Sequence, residues 1–324
     1  MNGSYPLRRK RFYENLDIGE CLILFAGSAR RKTADASYPF FANRNFYYLT
    51  GITQTDSVFM AVNNGGEIEE TLYIHNKDPM SERWHGYRIS HEEATEHSGI
   101  KTVSDVEAFE PALKGLLDSG AISALWYDFD KFDADHADAP QNRHSERIRS
   151  TCPLVTFKNA YPVICAARTI KDAEEIAHIR EALVITSDGI HAMMKAARSD
   201  MYEYQLEGVF NKVLADAGVR EPAFASIVSG GRNNFYIHYE EPMGILKDGD
   251  LILTDVGARK NQYVSDISRA FPVNGKFTAQ QKEVYSIALK VNNELMALLV
   301  PGEVSFADIE AHSRRRVGEE LVAA

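Results

Sequence analysis

Asp255 and Asp266 lie in the run LILTDVGARKNQYVSDISRAF, each inside a short β-like segment, with the turn-like Arg259-Lys260-Asn261-Gln262 between them. A hairpin turning about Lys260-Asn261 places Asp255 directly opposite Asp266. Opposed strand residues hold their Cβ atoms ~4.5–5.5 Å apart, where like charges repel. A cation between the carboxylates converts that repulsion into attraction, and two-metal hydrolytic sites space their ions at about 3.5–4 Å. On its strand Asp255 shares a face with Leu251 and Leu253, because alternate residues point the same way. An ionised carboxylate on such a face is costly unless it is paired or bound to metal. The spacing equally admits ion pairs with Lys260, Arg259 or Arg269 at a wet sheet edge, so it leaves metal and salt bridge both open. Upstream, His238 in NNFYIHYEEP follows Tyr236 on an expected strand, Tyr236–Tyr239. A lone histidine there is either a structural hydrogen-bond partner or, beside a metal pair, a donor to a developing oxyanion.

The elements that must position these residues are legible as alternating apolar runs and helical stretches. Cys21–Phe25, Tyr47–Leu49, Val58–Val62, Leu72–His75 and Ala124–Tyr127 read as strands; Glu92–His97, Val106–Leu117 and His144–Arg149 read as helices. That order predicts an α/β (α+β) fold with a mixed sheet in a first domain, residues 1–157. The second domain, residues 158–324, opens with helices over Asp172–Ala197 and Tyr202–Ala217, the latter closed by Gly218. Strand-like runs follow at Phe224–Ser229, Asp250–Val256 and Tyr263–Phe271, then helices at Gln281–Leu299 and Phe306–Leu321, broken by Pro301-Gly302. The Ser229-Gly230-Gly231 turn lacks the Lys-Ser/Thr of a phosphate loop. The acidic stretch DFDKFDADHAD fails as a calcium loop, having Asp133 where the loop needs Gly and Ala139 where it needs Glu.

Composition narrows the function classes. A net charge of -10 argues against a general nucleic-acid binder. Arg8-Arg9-Lys10-Arg11, beside Phe12, Tyr13 and Leu16, reads as the start of an amphipathic helix rather than a phosphate patch. Cys21, Cys152 and Cys165 show no C-x-x-C spacing and suit a reducing cytoplasm. No run approaches the ~20 apolar residues of a membrane helix.

The stretch FASIVSGGRNNFYIHY through GDLILTDVGARKNQYVSDISRAFPVNGKFT resembles the Xaa-Pro aminopeptidase (aminopeptidase P), prolidase and creatinase family. Phe46–Ile52 (FYYLTGI) and Trp84-His85-Gly86 are similar to that family's first domain, so the resemblance spans nearly the whole chain. It implies a creatinase-like N-terminal domain followed by a pita-bread metallopeptidase domain. It further implies a dinuclear centre, Mn²⁺ in most members, with Asp255 chelating one ion and Asp266 bridging the pair. A metal-activated hydroxide would attack the bond between an N-terminal residue and proline, and His238 would bind substrate or steady the tetrahedral intermediate. The implied partners are peptides with proline second and a further copy of the chain as a homo-oligomer, with no nucleic acid and no membrane.

The sequence departs from the family pattern after Asp266. The remaining family ligands are a histidine in an H-G-x-x-H-like motif and two glutamates, yet His312 is the one later histidine and Ser313 follows it. His312 is expected at the surface of a helix. The catalytic domain therefore reads as truncated, with weak or no metal binding and no activity in this chain alone. A catalytically dead peptide-binding or assembly module of the same fold is the alternative. A metal-free creatinase-like hydrolase is a third reading, against which the retained aspartate pair stands.

Overall fold

A computed structural model of the chain describes residues 4–130 and 139–324, so most of the acidic stretch from Asp128 to Asp138 lies outside the described residues. Two compact units are present, Met1–Asp172 and Ala173–Ala324. The division falls after Asp172 rather than after residue 157, because the strand Thr156–Asn159 and the helix Tyr161–Thr169 pack with the first unit.

The first unit grows from the apolar run at Cys21. Strands β1 (Glu20–Phe25), β2 (Val58–Asn64), β3 (Glu67–Ile74), β4 (Thr102–Asp105), β5 (Ala124–Tyr127) and β6 (Thr156–Asn159) form a mixed sheet in the order β4-β3-β2-β1-β5-β6. The ladders β1–β2 and β2–β3 are antiparallel, and β3–β4, β1–β5 and β5–β6 are parallel. β1 is buried on both faces, which explains why its apolar residues run continuously instead of alternating. Leu22 and Leu24 pack with Phe46, Leu49 and Ile164 on one side, while Cys21 and Ile23 pack with Phe109, Leu113 and Ile148 on the other. Full burial of one such side chain is worth roughly 1.5–3 kcal/mol.

Helices cover both faces: α1 (Ser4–Tyr13), α2 (Arg44–Thr50), α3 (Pro79–His85), α4 (His91–Ser98), α5 (Phe109–Asp118), α6 (Pro140–Thr151) and α7 (Tyr161–Thr169). The expected strand Tyr47–Leu49 is the middle of α2. Asn43 caps that helix by accepting from the backbone N–H groups of Asn45 and Phe46, and Gly51 closes it at φ 72°. The caps outweigh the β-preference of two tyrosines. Helix α1 forms as expected, but Arg8 and Arg9 point inward. Arg9, 1% exposed, donates to Glu70 (2.8 and 3.3 Å) and to the carbonyls of Leu49 (2.8 Å) and Ser98 (2.9 Å). Lys10 and Arg11 face solvent, as an amphipathic helix requires, while partners distant in sequence draw Arg8 and Arg9 inward.

The second unit contains α8 (Ala173–Ala196), α9 (Glu203–Asp216), β7 (Ile227–Gly230), β8 (Leu251–Val256), β9 (Arg259–Lys260), β10 (Tyr263–Val264), β11 (Ile267–Pro272), α10 (Ala279–Leu298) and α11 (Phe306–Ala323). β8 is central in an antiparallel sheet ordered β11-β8-β7, and β9 and β10 pair as a short hairpin. Ile252 and Val256 of β8 join Val228, Phe271 and residues of α8 and α9, among them Met193, Leu206 and Phe210, in one core. The alternate residues Leu251, Leu253 and Asp255 occupy the opposite, half-buried face. The segment Tyr236–Tyr239 is not a strand. A 3₁₀ turn at Gly231–Phe235 precedes it, held by Ser229 Oγ donating to Asn234 Oδ1 (2.8 Å) and Asn234 Nδ2 donating to the Leu251 carbonyl (2.9 Å). Asparagine side chains here take the hydrogen bonds that a strand ladder would have used.

Candidate metal centre

Asp255 is the last residue but one of the central strand β8, and Asp266 directly precedes β11. The turn between their strands consists of Asn261 and Gln262, with φ of 49° and 66°, and the flanking residues Lys260 and Tyr263 are paired. Two left-handed residues in a two-residue loop match the right-handed twist of the strands, and asparagine enters that region more readily than most side chains. The turn therefore sits one residue later than expected. In consequence Asp255 faces Ser268, not Asp266. This corrects the expected register, although the parity of the pairing is unchanged and both aspartates share one face.

They remain neighbours across a diagonal, where Cβ atoms lie ~7–8 Å apart and longer side chains still meet. The meeting is registered electrostatically. Desolvation first, then a hydrogen bond that the protonated Asp266 carboxyl donates to Asp255, and the charge of Asp255, hold the Asp266 carboxyl above the usual aspartate range. Asp255 Oδ1 also accepts from Ser268 Oγ at 2.9 Å. The salt-bridge reading does not hold for two of its candidate cations: Lys260 donates to the Ala217 carbonyl (3.4 Å) and Arg269 to the Ser268 carbonyl (2.7 Å).

A buried polar knot behind the pair fixes its backbone. Thr186 of α8 and Ser265 are 0% and 4% exposed, and their hydroxyls lie 2.7 Å apart. Ala258 N–H donates to Thr186 Oγ1 (2.8 Å), and Ser265 Oγ donates to the Ala182 carbonyl (3.1 Å). Tyr263 OH adds a bond to Glu175 Oε1 at 2.9 Å, so α8 grips the hairpin at several points. Gly257 is obligatory at this crossing: a Cβ there would lie 1.9 Å from the Ser265 carbonyl oxygen. Thr186 and Ser265 escaped the sequence reading because small hydroxyl residues carry no spacing signal of their own.

His238 is exposed in the turn after Tyr236, and no hydrogen bond or ion pair joins it to either aspartate. His312 lies 3.5 Å from Glu294 between α10 and α11, half-buried rather than on the surface, and takes no part in the aspartate pair. Among the described residues no group of three or more His, Cys, Asp or Glu side chains could hold a metal ion. The donor chemistry of the pair nevertheless fits a divalent cation. Two hard carboxylates, Asp255 half-buried and Asp266 exposed, repel one another on one face, and an ion offsets that repulsion. Among the described residues no third His, Cys, Asp or Glu side chain joins the pair. No helix among them is long and apolar enough to cross a membrane.

Two family models match the chain: metallopeptidase family M24 over residues 177–322 and the aminopeptidase P N-terminal domain over residues 5–126. The chain is 30% identical to the Xaa-Pro aminopeptidase of Haemophilus influenzae over 306 residues, covering 92% of this chain and 67% of that protein. A Bacillus anthracis structure assigned to aminopeptidase P superposes with a TM-score of 0.96 at 37% identity, covering 99% of this chain and 77% of that one. Zinc-substituted Escherichia coli aminopeptidase P in complex with product gives a TM-score of 0.89 at 28% identity, covering 100% and 74%.

Proposed function

The chain belongs to metallopeptidase family M24, with an aminopeptidase P N-terminal domain preceding the pita-bread unit, and on that premise we propose that Asp255 and Asp266 are metal ligands of an Xaa-Pro aminopeptidase centre. The observation that carries the reading is the placement of two carboxylates on one face of the β8–β11 hairpin by its register, backed by a buried hydroxyl knot. The substrates are peptides with proline in second position, cleaved before the proline. A divalent ion held by Asp255 and Asp266, Mn²⁺ foremost, would supply Lewis acidity at the scissile carbonyl and lower the pKa of a water there.

The chain's own groups do the rest. Asp255 and Asp266 hold the ion, and the Ser268 hydroxyl fixes the Asp255 carboxylate by donating to one of its oxygens. His238, exposed on its loop, donates a hydrogen bond to the substrate carbonyl oxygen as charge develops there. With two protein donors, this chain alone holds Mn²⁺ weakly and turns over far more slowly than its relatives. The donor shortfall favours one second reading, a catalytically silent peptide-binding module of the same fold.

The test is Mn²⁺ titration by calorimetry, with release of the N-terminal residue from an Xaa-Pro peptide measured beside the Escherichia coli relative. Weak Mn²⁺ binding that disappears in Asp255→Asn and Asp266→Asn is expected. Unchanged Mn²⁺ affinity in both variants would falsify the ligand assignment. Peptide binding without turnover at saturating Mn²⁺ selects the module.

A further inference from the structure

Glu203 opens α9 and is 1% exposed, yet it lies far in sequence from everything it touches. Its carboxylate accepts four hydrogen bonds. Oε1 takes Gly230 N–H (2.7 Å) and Asn233 Nδ2 (2.9 Å); Oε2 takes Tyr239 OH (2.8 Å) and Gly244 N–H (2.7 Å). Four acceptor sites are about what a carboxylate offers, so the group is saturated. The four donors come from the two ends and the middle of one continuous stretch, residues 230–244, which contains His238. The helix start reinforces the closure, with Glu203 N–H donating to the Gly244 carbonyl (2.9 Å) and Leu246 N–H to the Met201 carbonyl (2.8 Å). Asn233 Nδ2 also reaches Tyr239 OH at 3.0 Å, which cross-links the middle of the stretch.

The contrast within this loop is informative. Its anchors turn inward to Glu203, whereas Phe235, Tyr236 and Ile237 are 86%, 63% and 84% exposed and His238 is exposed beside them. No strand ladder pairs that outward tip among the described residues, and Tyr236 stacks on Tyr239 (ring centroids 6.2 Å), the residue whose hydroxyl Glu203 holds. Its position is set through the buried carboxylate.

We propose that Glu203 is a positioning residue: it clasps residues 230–244 onto the start of α9 and thereby sets where His238 is presented. This rests on the reading of His238 as a substrate-facing group. A simple N-terminal cap would accept from its own helix, whereas here all four donors belong to another segment. Ion pairing is not the device either, since each donor is neutral and the carboxylate's charge strengthens every bond. Substituting Gln keeps the shape but points an NH₂ at groups that are themselves donors.

The experiment uses the full chain and two variants, Glu203→Gln and the milder Tyr239→Phe, which removes one of the four bonds. Amide hydrogen exchange by mass spectrometry reads residues 230–244 against the β8–β11 strands. Exchange in the loop should rise roughly 10- to 100-fold in Glu203→Gln, as expected for losing bonds to a charged acceptor, and less in Tyr239→Phe. The strands should stay protected. Loop exchange equal to wild type in both variants overturns the clasp, as does a rise spread evenly across the unit in both.

A second readout separates the clasp from the role of His238. Paramagnetic broadening of the His238 ring resonance by added Mn²⁺, identified by its loss in His238→Ala, should be present in wild type and fall in Glu203→Gln. No broadening in wild type means that His238 does not face the metal, and the proposed function loses that residue while the exchange result still decides the clasp. Equal broadening in wild type and Glu203→Gln overturns the positioning role.

Discussion

Replacing Gly257 with alanine tests whether the crossing behind the aspartate pair is as tight as its geometry implies. The added Cβ would lie 1.9 Å from the Ser265 carbonyl oxygen and 2.9 Å from Phe224 Cε1. Carbon–oxygen contacts settle at ~3.3–3.6 Å, so the two backbones must part by roughly 1.4 Å. The obstructing atom belongs to the main chain, and the displaced Ser265 would drag its hydroxyl from Thr186. Overpacking costs ~1–3 kcal/mol, and a rigid obstacle places this substitution at the upper end, about 3 kcal/mol. In a unit of this size each kcal/mol moves Tm by roughly 2–4 °C, giving a fall of about 6–12 °C. Scanning calorimetry reads the stability, and Mn²⁺ titration reads the pair, whose affinity should drop at least about 10-fold as Asp266 moves away from Asp255. Gly208 in α9 is the control, since a Cβ there meets nothing within 4 Å. Gly208→Ala should raise stability by up to ~1 kcal/mol through helix propensity alone. A Gly257→Ala Tm within about 2 °C of wild type, with unchanged Mn²⁺ affinity, would show that the crossing accommodates a Cβ.

Thr186→Val removes the hydroxyl that accepts from Ala258 N–H, and urea denaturation should show a loss of about 1–2 kcal/mol with weakened Mn²⁺ binding. Glu70→Gln strips Arg9 of its carboxylate partner while leaving Arg9 buried. Because Glu70 is partly exposed, the expected loss is about 2–3 kcal/mol, below that of a fully buried pair. His144 sits against Phe25, Phe109 and Tyr127, with Nδ1 2.7 Å from Tyr127 OH. Burial pushes its pKa down to about 4, partly opposed by the Glu110 carboxylate. An unfolded histidine protonates near ~6.5, so the folded chain binds fewer protons between the two values. Stability should be intact above pH ~6.5 and fall as pH drops toward 4, by up to about 1.4 kcal/mol per unit. Urea midpoints measured from pH 7 to 4 should lose that increment in His144→Phe; identical slopes in both proteins would remove His144 as its source.

The sequence reading succeeded where periodicity is strong and local. The β1 run, the long helices α8, α9 and α10, and the strand carrying Asp255 all lie where their apolar patterns put them. It failed where the deciding interaction is distant or where a side chain replaces a backbone partner. Tyr47 and Tyr48 favour a strand by composition, but Asn43 and Gly51 cap a helix around them. Tyr236–Tyr239 reads as extended by composition, but the side chains of Asn233 and Asn234 just before it bond to Glu203 and to the Leu251 carbonyl. Arg8 and Arg9 resemble solvent-facing charges because Asp172 and Glu70 are far away in the chain. The aspartate pair was found by type and spacing, but its register was not, since Lys260-Asn261 and Asn261-Gln262 are both plausible turn centres without glycine. Glu203 gave no signal at all, because an acidic residue in the first turn of a helix is ordinary.

The diagonal placement of Asp255 and Asp266 makes cation binding a check on parity. Shifting the pairing of β8 and β11 by one residue sends Asp266 through the sheet to the side occupied by Ile252 and Val256, whereas a shift of two returns it to the side of Asp255. Every odd misalignment therefore separates the carboxylates by the thickness of the sheet, and an ion cannot join them. An ion held by both carboxylates, as proposed above, would favour chains threaded with the correct parity over those misaligned by an odd number of residues.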